Sequence, residues 1–383
     1  MTDLQFTAPR EDFTQAVAWV ARSLPTKPLT PIWAGIRLTA MGGDVLMSAF
    51  DSETSAEVTC SAEFATDGGV SVVSGRLLAT IAKVLPKKPV QFRHEGTVAQ
   101  IVCGAAEFTL PTMNAAEYPQ LPGMPEVIGG VEASAFADAC ARVTVAASKD
   151  EAVQKLSGVQ LQWTPEGALR MAASDRYRVA LLEMPWQGTL GDDPALRTAL
   201  VPWKSLGDVG RLGDGDVRVA FDADGGVFGL AGGGRYVTTR VINEEFPNLW
   251  GALPGADRAK HRARIVVRDV AEAVGRALTV IQDEKQRLHL TFSGDGLAMR
   301  GGNTAGFGQW SEVVDVDYEA LGQDNEIQFW VNPRYLLDGL NALPSDKATL
   351  DLTAYNQPIV MRPETTGYTH AVMPTKAPAG VAL

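Results

Sequence analysis

The most concentrated run of polar side chains in the sequence is a four-residue cluster, Asp175-Arg176-Tyr177-Arg178. A carboxylate, two guanidinium groups and a phenol there provide hydrogen-bond donors and acceptors beside apolar residues on both sides. Such a cluster can be a solvent-exposed hairpin turn, or a recognition surface with an aromatic anchor and two arginines. Both alternatives stay open: the first gives the cluster a role in folding, and the second gives it a role in binding a partner.

Residues that could catalyse a reaction are few and scattered. The four histidines lie outside any HExxH motif and have no cysteine or carboxylate at ligand spacing. Glycine-rich segments lack the context of a phosphate-binding loop, which favours tight turns. We therefore predict no catalytic residues, no metal site and no cofactor. An enzyme built on an oligomeric α+β repeat stays the competing class.

The composition is that of an ordinary globular protein, because 45% of the residues are hydrophobic and each domain can bury a core. Three cysteines without CxxC spacing predict reduced thiols and a cytoplasmic location. No segment approaches the apolar length of a membrane span, and we expect no membrane partner. The formal net charge of -11 argues against tight electrostatic binding of nucleic acid.

One hairpin pattern occurs three times. An apolar run, a polar hinge and an alternating run surround Asp51, Asp175 and Asn303, which lie 124 and then 128 residues apart. A basic residue near the start of a predicted helix keeps nearly the same period, with intervals of 128 and 130 residues: Arg76, Lys204 and Arg334. A period of this length suits a domain. We therefore predict three domains, at 1–124, 125–254 and 255–383.

The pattern within each unit predicts helix, strands, helix and strands. Apolar residues at helical spacing predict helices over 11–24, 74–85, 133–146, 203–212, 270–281 and 335–343. Alternating residues predict hairpins over 46–58, 169–182 and 297–313. The fold class is therefore α+β. Helices on one side of a curved sheet suggest part of a ring that two chains close head to tail.

Several segments are similar in sequence to those of one known family and occur with its order and spacing: SDRYRVAL, LPTMNAAEYPQLP, SGRLLATIAKVLPKKPV, EFPNLWGALP and AVMP. Through them the whole chain resembles the bacterial DNA polymerase III beta subunit, the sliding clamp, and most closely clamps of high-GC Gram-positive bacteria. The resemblance implies the DNA clamp fold: a homodimeric ring of six similar domains with helices around a central hole and sheets outside. It implies a processivity factor without enzymatic activity.

The resemblance also implies the partners. Duplex DNA passes through the ring without sequence recognition, and the clamp tethers the DNA polymerase III alpha subunit, the clamp loader and other proteins with clamp-binding motifs. Weak phosphate contacts from the inner helices permit sliding. Each candidate can equally be part of a solvated helix face. The candidates are Arg22, Arg76, Lys83, Arg142, Lys149, Lys204, Arg211, Arg276 and Arg334.

A second implied site is a groove that receives short peptides of these partners. The matching positions are Leu156, Ser174, Arg176, Tyr177, Arg178, Val179, Pro247, Ala252, Val372, Met373 and Pro374. We expect apolar members to line a pocket and Arg178 to form its polar rim. Arg176-Tyr177 stands where many family members have Gly-His, and Thr375-Lys376 replaces the usual Met-Arg. A second or phage-encoded clamp with altered partner or inhibitor specificity is therefore an alternative.

The third implied site is the contact between the two chains of the ring. The candidates are Ile81, Leu85, Phe108 and Leu110 in the first domain, and Val280 and Ile281 in the third. They can equally be ordinary core residues. Family members often place several acidic residues on a strand of the third domain, to meet basic residues across the joint. This strand carries only Glu312 here, so we expect a more apolar, less salt-sensitive joint.

Overall fold

The structure is a computed structural model that describes residues 4–64, 68–150, 152–188, 197–207, 209, 212–213, 215–281, 287–303, 308–365 and 367–377. The chain divides into two compact units. Unit 1 comprises Met1–Ser134 and Asp208–Val241, and unit 2 comprises Ala135–Gly207 and Ile242–Leu383. Each unit thus takes in part of the second predicted domain. The three domain boundaries expected from the repeat stay a prediction.

The helices begin within a few residues of their predicted starts. In the described residues they are α1 (Arg10–Val20), α2 (Gly75–Val84), α3 (Ala133–Thr144), α4 (Trp203–Leu206), α5 (Val267–Ala277) and α6 (Pro333–Ala342). The helix predicted over 203–212 is described here only as α4, which ends at Leu206, where the N–H of Gly207 closes a tighter turn onto the oxygen of Lys204. Residues 208, 210 and 211 of that prediction lie outside the described residues. No helix of the described chain is long and apolar enough to cross a membrane.

Helix positions follow from local sequence. In α5 the buried residues are spaced by three and four, which gives the helix one apolar face: Val267, Val270, Ala273, Val274 and Ala277. At the start of α6 the side chain of Asn332 accepts the N–H of Arg334, 2.9 Å away, and Pro333 occupies the first turn. These signals place the helix ends independently of distant contacts.

The strands of the first half of the chain are short and closely spaced. They are β1 (Gln5–Ala8), β2 (Gly35–Met41), β3 (Asp44–Phe50), β4 (Thr54–Ser61), β5 (Glu63–Phe64), β6 (Val70–Ser74), β7 (Val90–Glu95), β8 (Val98–Cys103), β9 (Ala106–Met113), β10 (Val127–Glu132), β11 (Gly158–Trp163), β12 (Ala168–Ser174), β13 (Arg178–Pro185) and β14 (Gln187–Gly188). Before β2, Pro31–Ala34 forms a 3₁₀ turn, so the strand starts at Gly35.

The second half continues in the same manner. Its strands are β15 (Thr198–Pro202), β16 (Asp216–Asp222), β17 (Val227–Gly232), β18 (Arg235–Arg240), β19 (His261–Val266), β20 (Leu288–Ser293), β21 (Gly296–Asn303), β22 (Gly308–Val314), β23 (Asp317–Ala320), β24 (Ile327–Val331), β25 (Lys347–Leu352), β26 (Ile359–Pro363) and β27 (Tyr368–Val372). The three predicted hairpins are confirmed as β3–β4, β12–β13 and β21–β22.

Unit 1 carries one long antiparallel run of strands. Its strands are hydrogen-bonded in the order β10-β16-β17-β18-β4-β3-β2-β6-β9-β8-β7-β1-β5. The rings of Phe6 and Phe92 stack 5.2 Å apart in its core, and Phe13 of α1 lies against Phe6 at 6.3 Å. All three rings are buried, so α1 is fixed on this sheet by aromatic packing.

Unit 2 has two antiparallel sheets. The larger runs β15-β11-β12-β13-β27-β26-β25-β19-β23, and the smaller runs β22-β21-β20-β24. In the larger sheet β13 of the second hairpin pairs with β27 near the end of the chain, with Arg178 opposite Val372. This pairing brings the polar cluster of the second hairpin beside residues that lie almost two hundred positions later.

Candidate functional site

The polar cluster at 175–178 is a hairpin turn built around one carboxylate. Oδ1 of Asp175 accepts the N–H of Tyr177 at 3.0 Å and that of Arg178 at 3.1 Å. Arg176, between Asp175 and Tyr177, adopts a left-handed conformation with φ of 80°, and its N–H donates to the hydroxyl of Ser174, 3.1 Å away. Glycine adopts that conformation without strain, which explains why a glycine suits this position.

Arg178 lies inside the unit, which corrects the expectation that it forms a rim. Only 7% of the residue is exposed. Its Nε pairs with Oδ2 of Asp175 at 3.0 Å, and its Nη1 donates to the carboxylate of Asp338 on α6. The guanidinium also lies 4.5 Å from the ring centre of Tyr335. A buried charge needs such partners, so Arg178 ties the hairpin to α6.

Two tyrosines form an aromatic surface above this ion pair. The rings of Tyr177 and Tyr335 stack with centres 5.9 Å apart, and Tyr177 is 53% exposed. The N–H of Met373 donates to the oxygen of Tyr177 at 2.7 Å, so the chain after β27 continues alongside the turn. Met373 is 36% exposed. The structure therefore brings together the turn and the segment 372–374, two parts of the groove that the resemblance implies.

An apolar cluster lies in the same unit. Its buried members are Leu156, Ala172, Leu181, Leu200 and Phe246. Half-buried side chains pack against it and leave apolar area open to solvent: Val153, Val179, Ile242, Leu249, Trp250 and Leu253. A half-open apolar cluster beside a polar, aromatic turn has the composition of a peptide-binding groove. We call these residues, together with the 174–179 turn and residues 373–374, the groove.

Sequence reasoning found only part of this cluster. Leu156 and Val179 were expected and belong to it. The missed residues Phe246, Leu249, Trp250 and Leu253 lie in a segment without helix or strand, so only their apolar character, and no regular period, marked them. Pro247 and Ala252 lie exposed on the same segment.

The remaining expected groove residues take supporting positions. Val372 is fully buried opposite Arg178 in the sheet, so it lies under the turn and does not line the groove. Ser174 is 5% exposed, and its role is the hydrogen bond within the turn. Pro374 is half-buried, and the next residue, Thr375, donates its N–H to the oxygen of Trp330 at 2.6 Å.

Lys149, expected to face DNA, belongs to this charged network. Its Nζ lies 3.2 Å from the ring centre of Trp203. Burial and repulsion by Arg178 lower the pKa of Lys149 to about 8, although the carboxylates of Asp175 and Asp338 oppose that shift. An ammonium held on an indole face can still bind an anion from solution, so Lys149 adds a cation to the surroundings of the turn.

The histidines have structural surroundings. His370 is fully buried, with Nδ1 3.0 Å from the hydroxyl of Tyr368, and burial followed by repulsion from Arg178 lowers its pKa to about 3. Burial also lowers the pKa of His261 and of His289. Within the described residues no group of three or more His, Cys, Asp or Glu could hold a metal ion. A neighbouring side chain holds each of these three rings by a hydrogen bond: Tyr368, Tyr318 and Gln328 respectively.

Several residues that were expected to contact DNA line one cleft of unit 1, which we call the cationic cleft. A space of about 570 Å³ between α1 and α2 is lined by four cationic side chains, of which three were expected: Arg10, Arg22, Arg76 and Lys83. Arg76 donates to the oxygens of Pro25 and Thr26 at 3.0 and 2.9 Å, so it also holds the loop after α1. These cations offer an anion such as a phosphate several donors at once.

The expected DNA contacts of unit 2 differ among themselves. Arg142 is half-buried and donates to the oxygen of Ala342 at 2.7 Å, which favours a structural role between α3 and α6. Arg276 binds both oxygens of Glu312, at 3.0 and 2.5 Å. Lys204 and Arg334 are exposed. Arg211 lies outside the described residues.

The candidate residues of the joint are mostly core residues. Leu110 is fully buried, and three others expose less than a tenth of their surface: Ile81, Leu85 and Ile281. These four therefore favour the alternative that the sequence left open. Phe108 and Val280 are half-buried and keep surface that a second chain can cover.

Three family models match the chain in succession. They are the N-terminal domain of the DNA polymerase III beta subunit at residues 4–122, its central domain at 130–248 and its C-terminal domain at 255–376. The beta sliding clamp of Streptomyces coelicolor is 36% identical over 94% of this chain and 93% of its own length. The beta sliding clamp homolog GriR of Streptomyces muensis is 32% identical over 92% of each chain.

Solved structures agree with this fold. The crystal structure of the DNA polymerase III beta subunit of Thermotoga maritima covers 98% of this chain and 100% of its own, with a TM-score of 0.87 and 23% identity. A sliding clamp of Bartonella birtlesii bound to griselimycin covers the same shares, with a TM-score of 0.88 and 22% identity.

Proposed function

Because this chain belongs to the DNA polymerase III beta subunit family, we propose that it is a DNA sliding clamp without catalytic activity. Two copies close around duplex DNA, and the groove of each copy holds a short peptide of the polymerase alpha subunit, the clamp loader or another partner. The match of three consecutive domain models along the chain carries this proposal. Its place of action is the cytoplasm, where its three cysteines stay reduced.

Holding DNA topologically removes the difficulty posed by the charge of the chain. A formal net charge of -11 opposes tight binding to phosphates, but a closed ring needs no tight binding. The cationic cleft between α1 and α2 supplies weak contacts to phosphates, which break and re-form as the protein moves along the DNA. Tethering then raises the effective concentration of the polymerase at the primer end.

Two strand edges support closure of the ring. Residues 106–111 of β9 pair with β8 on one side, and β22 pairs with β21 on one side; the described strands leave the opposite edges of both unpaired. Exposed edges of this kind pair with other strands. A head-to-tail contact between β9 of one copy and β22 of the other closes a two-chain ring and leaves neither edge open.

Retention on DNA tests this function. The protein is loaded onto a nicked circular duplex by a clamp loader with ATP, and the circle is then cut. We expect retention on the circle and loss from the linear product. A protein that leaves both forms equally fast would contradict the encircling ring.

The groove is tested by removing its last segment. A chain ending at Val372 lacks Met373, whose N–H holds the oxygen of Tyr177. We expect this variant to lose binding of a polymerase alpha-subunit peptide, measured by fluorescence anisotropy, while the dimer persists in sedimentation. Unchanged peptide affinity would remove the segment from the groove.

A specialised clamp is the second candidate, and one observation favours it. Tyr177 stacks on Tyr335 at the groove, and Arg176 holds a backbone conformation that suits glycine. A relative is named a clamp homolog, GriR, and a similar structure contains griselimycin. We expect weaker binding of a standard polymerase peptide, or of griselimycin, than an ordinary clamp shows. Equal affinities would refute this second candidate.

A further inference from the structure

An open pocket of about 440 Å³ lies beside the unpaired edge of β22. Its lining includes two arginines, two tryptophans and two small polar residues of the edge strand: Arg287, Arg300, Trp310, Trp330, Gln309 and Ser311. Among the residues that the structure describes, none of those lining the pocket is acidic. The pocket is therefore cationic in a chain whose formal net charge is -11, and it suits a carboxylate or another anion.

Arg300 is the cation nearest the edge. It lies on β21 directly opposite Ser311 of β22, so only a small side chain separates it from the edge. Arg300 is exposed and forms no ion pair with any described residue. Glu312 does not fill this place, because it points to the other face and binds Arg276 of α5.

The complementary charge lies on the other unpaired edge. Along β9 the exposed residues alternate with less exposed ones, so Glu107 and Thr109 share one face while Phe108 and Leu110 share the core face. Glu107 pairs with no cation of the described chain. Across the ladder it lies opposite Val102, which offers no charge.

We propose that Glu107 of one copy enters the Arg300 pocket of a second copy when β9 pairs with β22. This inference rests on the ring of the proposed function and adds the charge that orients its joint. When two edges pair, residues on matching faces become neighbours. Phe108 then packs on the face of the joined sheet that carries Trp310. Glu107 lies on the opposite face, together with Ser311 and Arg300.

Distances between strands permit this pair. Adjacent strands lie about 4.8 Å apart, so Glu107 and Arg300 stand two strand spacings from each other. A glutamate and an arginine extended toward each other over Ser311 can meet across that span. The polarity is the reverse of the one that the family resemblance implies, because here the third domain is basic and the first acidic. The joint is therefore salt-sensitive, contrary to the expectation from Glu312 alone.

Charge reversal tests the pair. We expect Glu107→Arg and Arg300→Glu each to raise the dimer dissociation constant about tenfold in sedimentation equilibrium at low salt, because like charges then face each other. The double variant should return to within about threefold of the original value, since the pair is restored with opposite polarity. Single variants with unchanged dimerisation, or a double variant that loses the sum of both effects, would overturn the proposal.

A matched control separates charge from folding. Arg264→Glu makes the same charge change at an exposed position of β19, in the other sheet of unit 2, and should leave the dissociation constant unchanged. If the unaltered protein stays monomeric at all concentrations, the ring itself fails. If it dimerises and ignores both reversals, only the Glu107–Arg300 pair fails.

Discussion

The first and second hairpin turns share one local design and differ in their surroundings. Oδ1 of Asp51 accepts two N–H groups, from Glu53 at 3.0 Å and Thr54 at 2.7 Å, as Oδ1 of Asp175 does in the second turn. The next residue is left-handed in both, with φ of 88° at Ser52 and 80° at Arg176. The repeated aspartate is thus explained by turn geometry alone.

The position three residues after the aspartate separates the two turns. In the first turn it is Thr54, whose hydroxyl meets that of Thr239 at 3.1 Å. In the second it is Arg178, which is buried between two carboxylates. The second turn became a candidate binding site because α6 supplies an aromatic partner, Tyr335, and a charged partner, Asp338, there.

Removing Arg178 should have the largest effect. Arg178→Ala leaves Asp175 and Asp338 without their cation, and we expect a loss of about 3 kcal/mol in the free energy of unfolding. Asp338 is 47% exposed, which keeps the loss at the low end for a buried pair. Thr54→Ala in the first turn should cost about 1 kcal/mol. Urea titration of both variants measures the difference, and equal losses would contradict it.

Replacing the aspartates should separate the turns less strongly. Asp51→Ala removes the oxygen that accepts two hydrogen bonds and should cost about 1 kcal/mol. Asp175→Ala also removes a partner of Arg178, so we expect a cost of about 2 kcal/mol. Asp→Asn variants keep the acceptor oxygen and serve as controls. If the two alanine variants unfold at the same urea concentration, the ion pair adds nothing to the second turn.

Relieving the left-handed residues should stabilise both turns by a similar, smaller amount. Arg176→Gly and Ser52→Gly each remove backbone strain, and we expect a gain of about 0.5 kcal/mol after the entropic cost of glycine. Thermal unfolding measures the gain, with Arg176→Ala as the control that removes the charge and keeps the strain. A lower melting temperature for Arg176→Gly would show that its side chain stabilises the turn.

The last difference is a pH dependence that Lys149 adds to the second turn, and solvent screening reduces its size because this lysine is exposed. Lys149 loses its proton near pH 8 in the folded chain, whereas the ordinary lysine pKa is 10.5. Between these values the unfolded chain binds more protons, so the free energy of unfolding should rise with pH relative to Lys149→Met. Parallel urea titrations at pH 7 and pH 10 test this, and a difference that stays constant would contradict it.

The hairpins were predictable because alternation and turn residues are local signals. The same holds for α6, whose first turn carries its own cap and proline. The partner of Arg178 was not predictable, because Asp338 lies 160 residues later on α6. The two residues meet only once the chain has folded. The rim role expected of Arg178 failed for that reason.

Candidate joint residues show a different limit. Ile81 and Leu85 follow the apolar face of α2, and periodicity cannot tell a face that meets the core from one that meets a second chain. The unpaired edges of β9 and β22 became visible only when the strand order was known. Pairing order is a property of the whole chain, and no segment of it carries that information.

The pairing of β13 with β27 has a consequence for synthesis. Arg178 lies opposite Val372, 194 residues later in the chain. At typical translation rates this separation corresponds to about 10 to 40 s between the appearance of the two strands. During that interval the edge of β13 has no partner and the groove is incomplete. A newly made chain can therefore complete the proposed groove only after translation has passed β27.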